Sequence, residues 1–81
     1  MKILFAPFNN SNVEETEKIF EEFKGIADVY LESVKVAEKI RYALSIGCTH
    51  ILLIGESYPL LKNLSTGEMK DIQDLKQLKE L

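Results

Sequence analysis

Apolar and polar positions along the chain alternate between short dense runs and longer helical stripes. Residues 2–6 (Lys-Ile-Leu-Phe-Ala) form an apolar run stopped by Pro7, the pattern of a short buried strand. A turn-rich stretch follows, Phe8-Asn9-Asn10-Ser11-Asn12. Ser11 stands three residues before Glu14, the spacing of a capping box in which the hydroxyl takes a free helical N–H and the carboxylate reaches back to the cap. Val13, Thr16, Phe20 and Phe23 then recur at helical spacings with Ile19 beside them, and Gly25 stands where a left-handed stop is expected. The early glutamates suit the positive end of that helix. Residues 26–31 read as a second strand, with Val29 and Leu31 alternating against Asp28 and Tyr30. Ser33 is placed to cap a second helix whose apolar stripe is Val36, Ile40, Ala43 and Leu44, closed by Gly47. Residues 48–54 (Cys-Thr-His-Ile-Leu-Leu-Ile) are apolar on both faces, as a strand must be when helices cover both sides of its sheet.

Two strand–helix–strand units with right-handed crossovers give three parallel strands. The next connection, Gly55-Glu56-Ser57-Tyr58-Pro59, is too short for a helical crossover, so residues 60–64 are expected to run antiparallel. Ser65-Thr66-Gly67 reads as a hairpin turn with Gly67 at a position needing positive φ, and residues 68–72 return as a fifth strand. Residues 74–81 form a last short helix with Leu75, Leu78 and Leu81 on one side. The expected class is α/β: one domain over residues 1–81, in the order β-α-β-α-β-β-β-α, a five-stranded mixed sheet with three flanking helices.

Charge and composition narrow the chemistry. The chain has 81 residues, 46% apolar and 28% charged, enough for one small core but not for a shielded active site with a separate substrate domain. A lone cysteine, Cys48, and a lone histidine, His50, exclude a disulfide framework and any multi-cysteine or His-rich metal site. Net charge is −3, without the basic surplus that usually marks a nucleic-acid binder. Residues 1–40 carry five Lys against eight Asp and Glu, while residues 41–81 carry five basic against five acidic side chains, so the acidity concentrates between Glu14 and Glu22. The apolar run after Lys2 is too short for a signal peptide, and no run approaches the ~20 residues of a membrane span. A cytoplasmic location with no membrane association is the expectation.

Three stretches carry a family resemblance: Arg41-Tyr42-Ala43-Leu44-Ser45-Ile46-Gly47, then Ile51-Leu52-Leu53-Ile54-Gly55-Glu56, then Lys62-Asn63-Leu64-Ser65-Thr66-Gly67-Glu68. Together with the element order they resemble the anticodon-binding domain of class II aminoacyl-tRNA synthetases, particularly that of histidyl-tRNA synthetase and of its relative, the ATP phosphoribosyltransferase regulatory subunit. In that family the stretches look like K-Y-A-x-x-x-G, a hydrophobic run ending I-G-E, and K-[DN]-L-x-T-G-E. The resemblance implies a module with no catalysis and no cofactor of its own, which in synthetases holds the tRNA anticodon and in the regulatory subunit serves a protein complex. One stretch departs from the family. Where members often carry a small residue, an Arg and a Gly-Lys pair, this chain has Ser33-Val34-Lys35-Val36-Ala37-Glu38, so a carboxylate stands where phosphates would approach. Lys35 and Lys39 are the cations left to compensate.

In an open α/β sheet, ligands favour the carboxyl ends of the parallel strands. The candidate ligand- or RNA-facing edge is therefore Phe8, Asn9, Asn10, Ser33, Lys35, Lys39, Glu56 and Tyr58. Asn and Ser can read base edges there, while Phe8 and Tyr58 can stack on a base. The plainer account makes Asn9 to Asn12 turn and cap residues and Phe8 the rim of the core. His50 and Cys48 read as packing residues, and the Glu14 to Glu22 run as a solvated helix face or a dock for a basic partner. No Gly-rich phosphate loop, nucleophile elbow or carboxylate pair appears, so neither a catalytic residue nor a bound metal is expected. The leading expectation is an accessory or regulatory module acting through contacts with a synthetase-like or regulatory-subunit-like protein chain; the alternative is a stand-alone tRNA binder. A free-standing chain and one domain of a longer protein both satisfy the sequence, and the oligomeric state is left open.

Overall fold

The computed structural model describes residues 2–23, 25, 27–31, 35–55, 59–74 and 78. The strands are β1 (Ile3–Pro7), β2 (Ala27–Val29), β3 (His50–Ile54), β4 (Leu60–Asn63) and β5 (Met69–Asp71); the helices are α1 (Val13–Glu21) and α2 (Val36–Ser45), with a 3₁₀ turn at Asn10–Asn12 leading into α1. All five strands form one sheet in the order β2-β1-β3-β4-β5. β1 pairs in parallel with β2 and β3, and the β3–β4 and β4–β5 pairs are antiparallel. This is the mixed α/β architecture that the apolar pattern implies. Two α-helices rather than three lie among the described residues; the expected helix over 74–81 falls almost wholly outside them.

β1 is buried along its whole length because side chains alternate between two helical layers. Ile3 and Phe5 join Leu52, Ile54, Leu61, Ile72, Phe23 and Leu78 on the α1 side. Leu4 and Ala6 join Ile51, Leu53, Ala43 and Cys48 on the α2 side. Phe5 anchors the first cluster, meeting Phe20 edge-on at 6.1 Å and Phe23 at 5.4 Å between ring centres. Such contacts add about 0.5–1.5 kcal/mol per pair beyond area burial. Cys48 is a buried free thiol, pushed above its ordinary pKa by desolvation. His50 begins β3 half-buried, its Nδ1 2.8 Å from the Thr49 hydroxyl.

The helix ends correct several expectations. The capping box does not form: Asn12 is the N-cap of α1 with no side-chain cap bond, and the Ser11 hydroxyl instead donates to Asn9 Oδ1 at 2.5 Å. Asn9 Oδ1 also accepts from the Ser11 amide at 3.0 Å, an Asx turn that takes the side chain the cap would need. Gly25 is no left-handed stop, since the only positive-φ glycines among the described residues are Gly47 and Gly67. α1 ends earlier by tightening: Glu22 N–H donates to Ile19 O and Phe23 N–H to Phe20 O, both i→i−3 bonds, and this turn delivers Phe23 to the core.

α2 begins with Lys35 as its extended N-cap, without a side-chain cap bond; Ser33, the expected cap, lies outside the described residues. Its buried positions are Lys39 and Ala43, with Val36 and Ile40 half-buried, whereas Leu44 is 56% exposed and leaves the expected stripe. One residue on from Ala43 is a rotation of about 100°, which carries Leu44 off the sheet. The helix closes on Gly47 at φ +82°, with Cys48 N–H on Ala43 O at 2.9 Å and Gly47 N–H on Leu44 O at 3.2 Å. Those two bonds are the Schellman pattern, which requires the left-handed residue. Gly67 at φ +79° closes the β4–β5 hairpin, where Asn63 Oδ1 accepts the amides of Ser65 and Thr66.

Candidate nucleic-acid interface

The carboxyl ends of the three parallel strands lie side by side, with Phe5 opposite Val29 and Pro7 opposite Ile54. The chain leaves β1 at Pro7, runs through Phe8 and Asn9, and turns into α1; from β2 it passes to the start of α2. Both helix N-termini therefore open on this edge, where unpaired N–H groups favour acceptors.

Among the described residues, Phe8 is the most exposed aromatic at this edge, at 50% exposure. Its amide donates to Ile54 O at 2.8 Å, extending the β1–β3 pairing by one rung beyond the strand. Gly55 lies directly beneath it: a Cβ there would sit 3.5 Å from Phe8 Cβ, in ordinary contact. Asn9 is exposed and occupied by its Asx turn with Ser11, while its carbonyl accepts the Asn12 amide at 3.1 Å. Asn10 opens the 3₁₀ turn. Lys35 is exposed at the N-terminus of α2. Ser33, Glu56 and Tyr58 lie outside the described residues.

Lys39 differs from the other candidates. It is 1% exposed, and its ammonium donates to the carbonyl of Pro7 at the end of β1. Desolvation pushes its pKa below the ordinary 10.5. The geometry thus brings Phe8, Asn9, the start of the Asn10 turn and Lys35 to one rim, and sets Lys39 inside it. The sequence signal for this burial is its spacing, three residues after Val36 and four before Ala43, which puts Lys39 within the apolar stripe.

A feature that sequence reasoning missed is Asn12. It is 4% exposed, and its side-chain oxygen has no hydrogen-bond partner among the described residues. Nothing in the residue pattern separates this buried asparagine from exposed Asn9, and only the fold does so. The charges around the edge are uneven. Glu14 and Glu15 occupy the first turn of α1 and oppose an anion there, while Glu17 and Glu21 continue the acidic outer face, with Lys18 the one base of that helix. At α2, exposed Lys35 favours an anion and exposed Glu38 opposes it. Further along α2, Tyr42 is 38% exposed and stacks on Tyr30 at 4.6 Å with 26° between planes. No helix among the described residues is long and apolar enough to cross a membrane.

No model of a known protein family matches the sequence, and no curated protein matches it. A solved structure does match in three dimensions: the RNA-binding domain of threonyl-tRNA synthetase from Cryptosporidium parvum Iowa II, with a TM-score of 0.82 over 95% of this chain and 17% sequence identity. The chain spans 21% of the length of that neighbour. At that identity the likeness establishes the fold alone: the five-stranded mixed sheet and its helices are arranged as in that neighbour.

Proposed function

We propose that this chain is a non-catalytic tRNA-binding domain of the anticodon-binding type, extending over residues 1–81 and working at the carboxyl edge of its parallel strands. One observation carries the reading: nearly the whole chain superposes on a domain described as RNA-binding, at a TM-score of 0.82. The edge supplies suitable chemistry. Half-exposed Phe8 offers a stacking surface and Asn9 and Asn10 offer amide groups, with Ser33, Lys35, Glu56 and Tyr58 completing the proposed rim. Lys35 supplies a phosphate contact at a helix N-terminus. A cytoplasmic setting, where tRNA is found, accompanies this reading. Titration of labelled total tRNA at several salt concentrations tests it. Binding that weakens steeply with salt is the expected result, and absence of any complex at low ionic strength with folded protein overturns it.

A second reading has its own support. The acidic outer face of α1 and the withdrawal of Lys39 from the surface both reduce the rim's attraction for phosphate. They favour an accessory or regulatory module of the histidyl-tRNA synthetase or regulatory-subunit type, acting through protein contacts. Under this reading a synthetase-like chain co-purifies with the protein and nucleic acid does not; recovery of tRNA without such a chain counts against it.

A further inference from the structure

We infer that Lys39 is a positioning residue, whose buried ammonium holds the end of β1 so that Phe8 and Asn9 project from the carboxyl edge, and that it makes no contact with RNA. The assignment rests on the tRNA-binding reading for its consequence, though not for its geometry.

The β1–β2 ladder accounts for the arrangement. Its last rung among the described residues is the Tyr30 amide donating to Phe5 O at 2.9 Å. The next carbonyl on that side of β1 belongs to Pro7, two residues further along and beyond the last rung with β2 among the described residues. Pro7 is fully buried, so its carbonyl needs a donor and water cannot supply it. Lys39 reaches across from α2 and supplies one. On the opposite side of the strand the Phe8 amide is held by Ile54 O. The backbone is therefore gripped from both flanks at the two residues where it leaves the sheet, immediately before Phe8 and Asn9 emerge. A lysine stem is long enough to lie in the apolar layer beneath α2 and place its head at the strand end. At 1% exposure that head cannot reach a phosphate. The residue that looks like a phosphate-binding cation acts on the loop instead.

Three variants separate positioning from charge: Lys39→Gln, which keeps a donor without the charge; Lys39→Met, which keeps only the stem; and Lys35→Gln at the exposed position. Two readouts are taken, the amide resonances and order of Phe8 and Asn9 in the free protein, and total-tRNA affinity against salt. Lys39→Gln is expected to keep the Phe8 and Asn9 amides near their native positions, and to bind tRNA with an unchanged salt slope. Lys39→Met is expected to displace and broaden those two amides and to weaken tRNA binding about tenfold at unchanged slope, the signature of lost preorganisation. Lys35→Gln is expected to reduce the slope by about one ion. Native Phe8 and Asn9 resonances in Lys39→Met overturn the inference, as does a reduced slope in Lys39→Gln. If Lys39→Met does not fold, the Lys39→Gln slope decides alone. Failure of the native protein to bind tRNA defeats the functional reading, and the resonances of the free variants still decide the positioning role.

Discussion

The two ends of the parallel strands are finished differently. At the amino end, polar groups find partners within the chain. Lys2 Nζ donates to Ile46 O at the end of α2 at 2.7 Å and lies 3.4 Å from Asp28, while Thr49 and His50 amides and the Thr49 hydroxyl all donate to Lys2 O. Gly47 closes the helix there in one fixed geometry. The carboxyl end also has internal bonds, but it leaves Phe8 half in solvent, Asn12 Oδ1 without a partner among the described residues, and Lys35 exposed at the start of α2. The amino end is built to close the fold. Among the described residues the carboxyl end leaves more aromatic and polar surface without internal partners, and the functional proposal draws on that difference.

Substitutions test this difference between the two ends. The largest effect is expected in the core that both ends share: Phe5→Ala removes the ring packed between Phe20 and Phe23 and should cost about 3–5 kcal/mol, read from denaturant unfolding. Next is Gly47→Ala at the amino end, which forces a side chain into φ +82° and should cost about 1 kcal/mol while leaving tRNA affinity untouched. No atom lies within 4 Å of the added methyl, so the cost is conformational alone. A loss of tRNA affinity in that variant would erase the distinction between the two ends.

The smallest effect is a pH dependence. Burial lowers the Lys39 pKa below 10.5, so in the alkaline range the unfolded chain holds a proton that the folded chain has released. Stability from this group therefore rises as pH climbs through the depressed value toward 10.5. Cys48 acts in the opposite direction: its raised pKa keeps the folded thiol protonated where the unfolded one ionises, so its contribution falls as pH rises past the ordinary 9.0. Lys39→Gln removes only the first term. In urea titrations the variant should lose ground to the native protein as pH rises from neutrality toward 10.5. Parallel pH profiles would refute the assigned burial effect.

The sheet was legible because its physics is local and repetitive. Residues 51–54 are apolar on both faces and the short connection after Gly55 excludes a crossover; these determine strand count and direction, while Pro7, expected to stop the first strand, is instead its last residue, opposite Ile54. Gly47 and Gly67 were legible for the same reason, since each closes an element with the left-handed residue its geometry needs. The helix start at Ser11 was misread because Asn9, two residues upstream, competes for the same hydroxyl, and capping patterns do not encode such competition. Gly25 misled because α1 stops by tightening into i→i−3 bonds, an ending with no residue signature. Lys39 misled for a deeper reason. A charge in a helix reads as a surface group, yet the need that buries it is a carbonyl 32 residues away in sequence. The edge could be named from topology, but not which of its residues face outward.

The most direct test is a map of amide shift changes on adding total tRNA to the labelled protein. Changes are expected to concentrate at Phe8, Asn9 and Lys35, with Gly47 and Thr49 at the opposite end unmoved. Changes centred on Gly47 and Thr49, or none anywhere at low ionic strength, would contradict the proposed tRNA-binding edge.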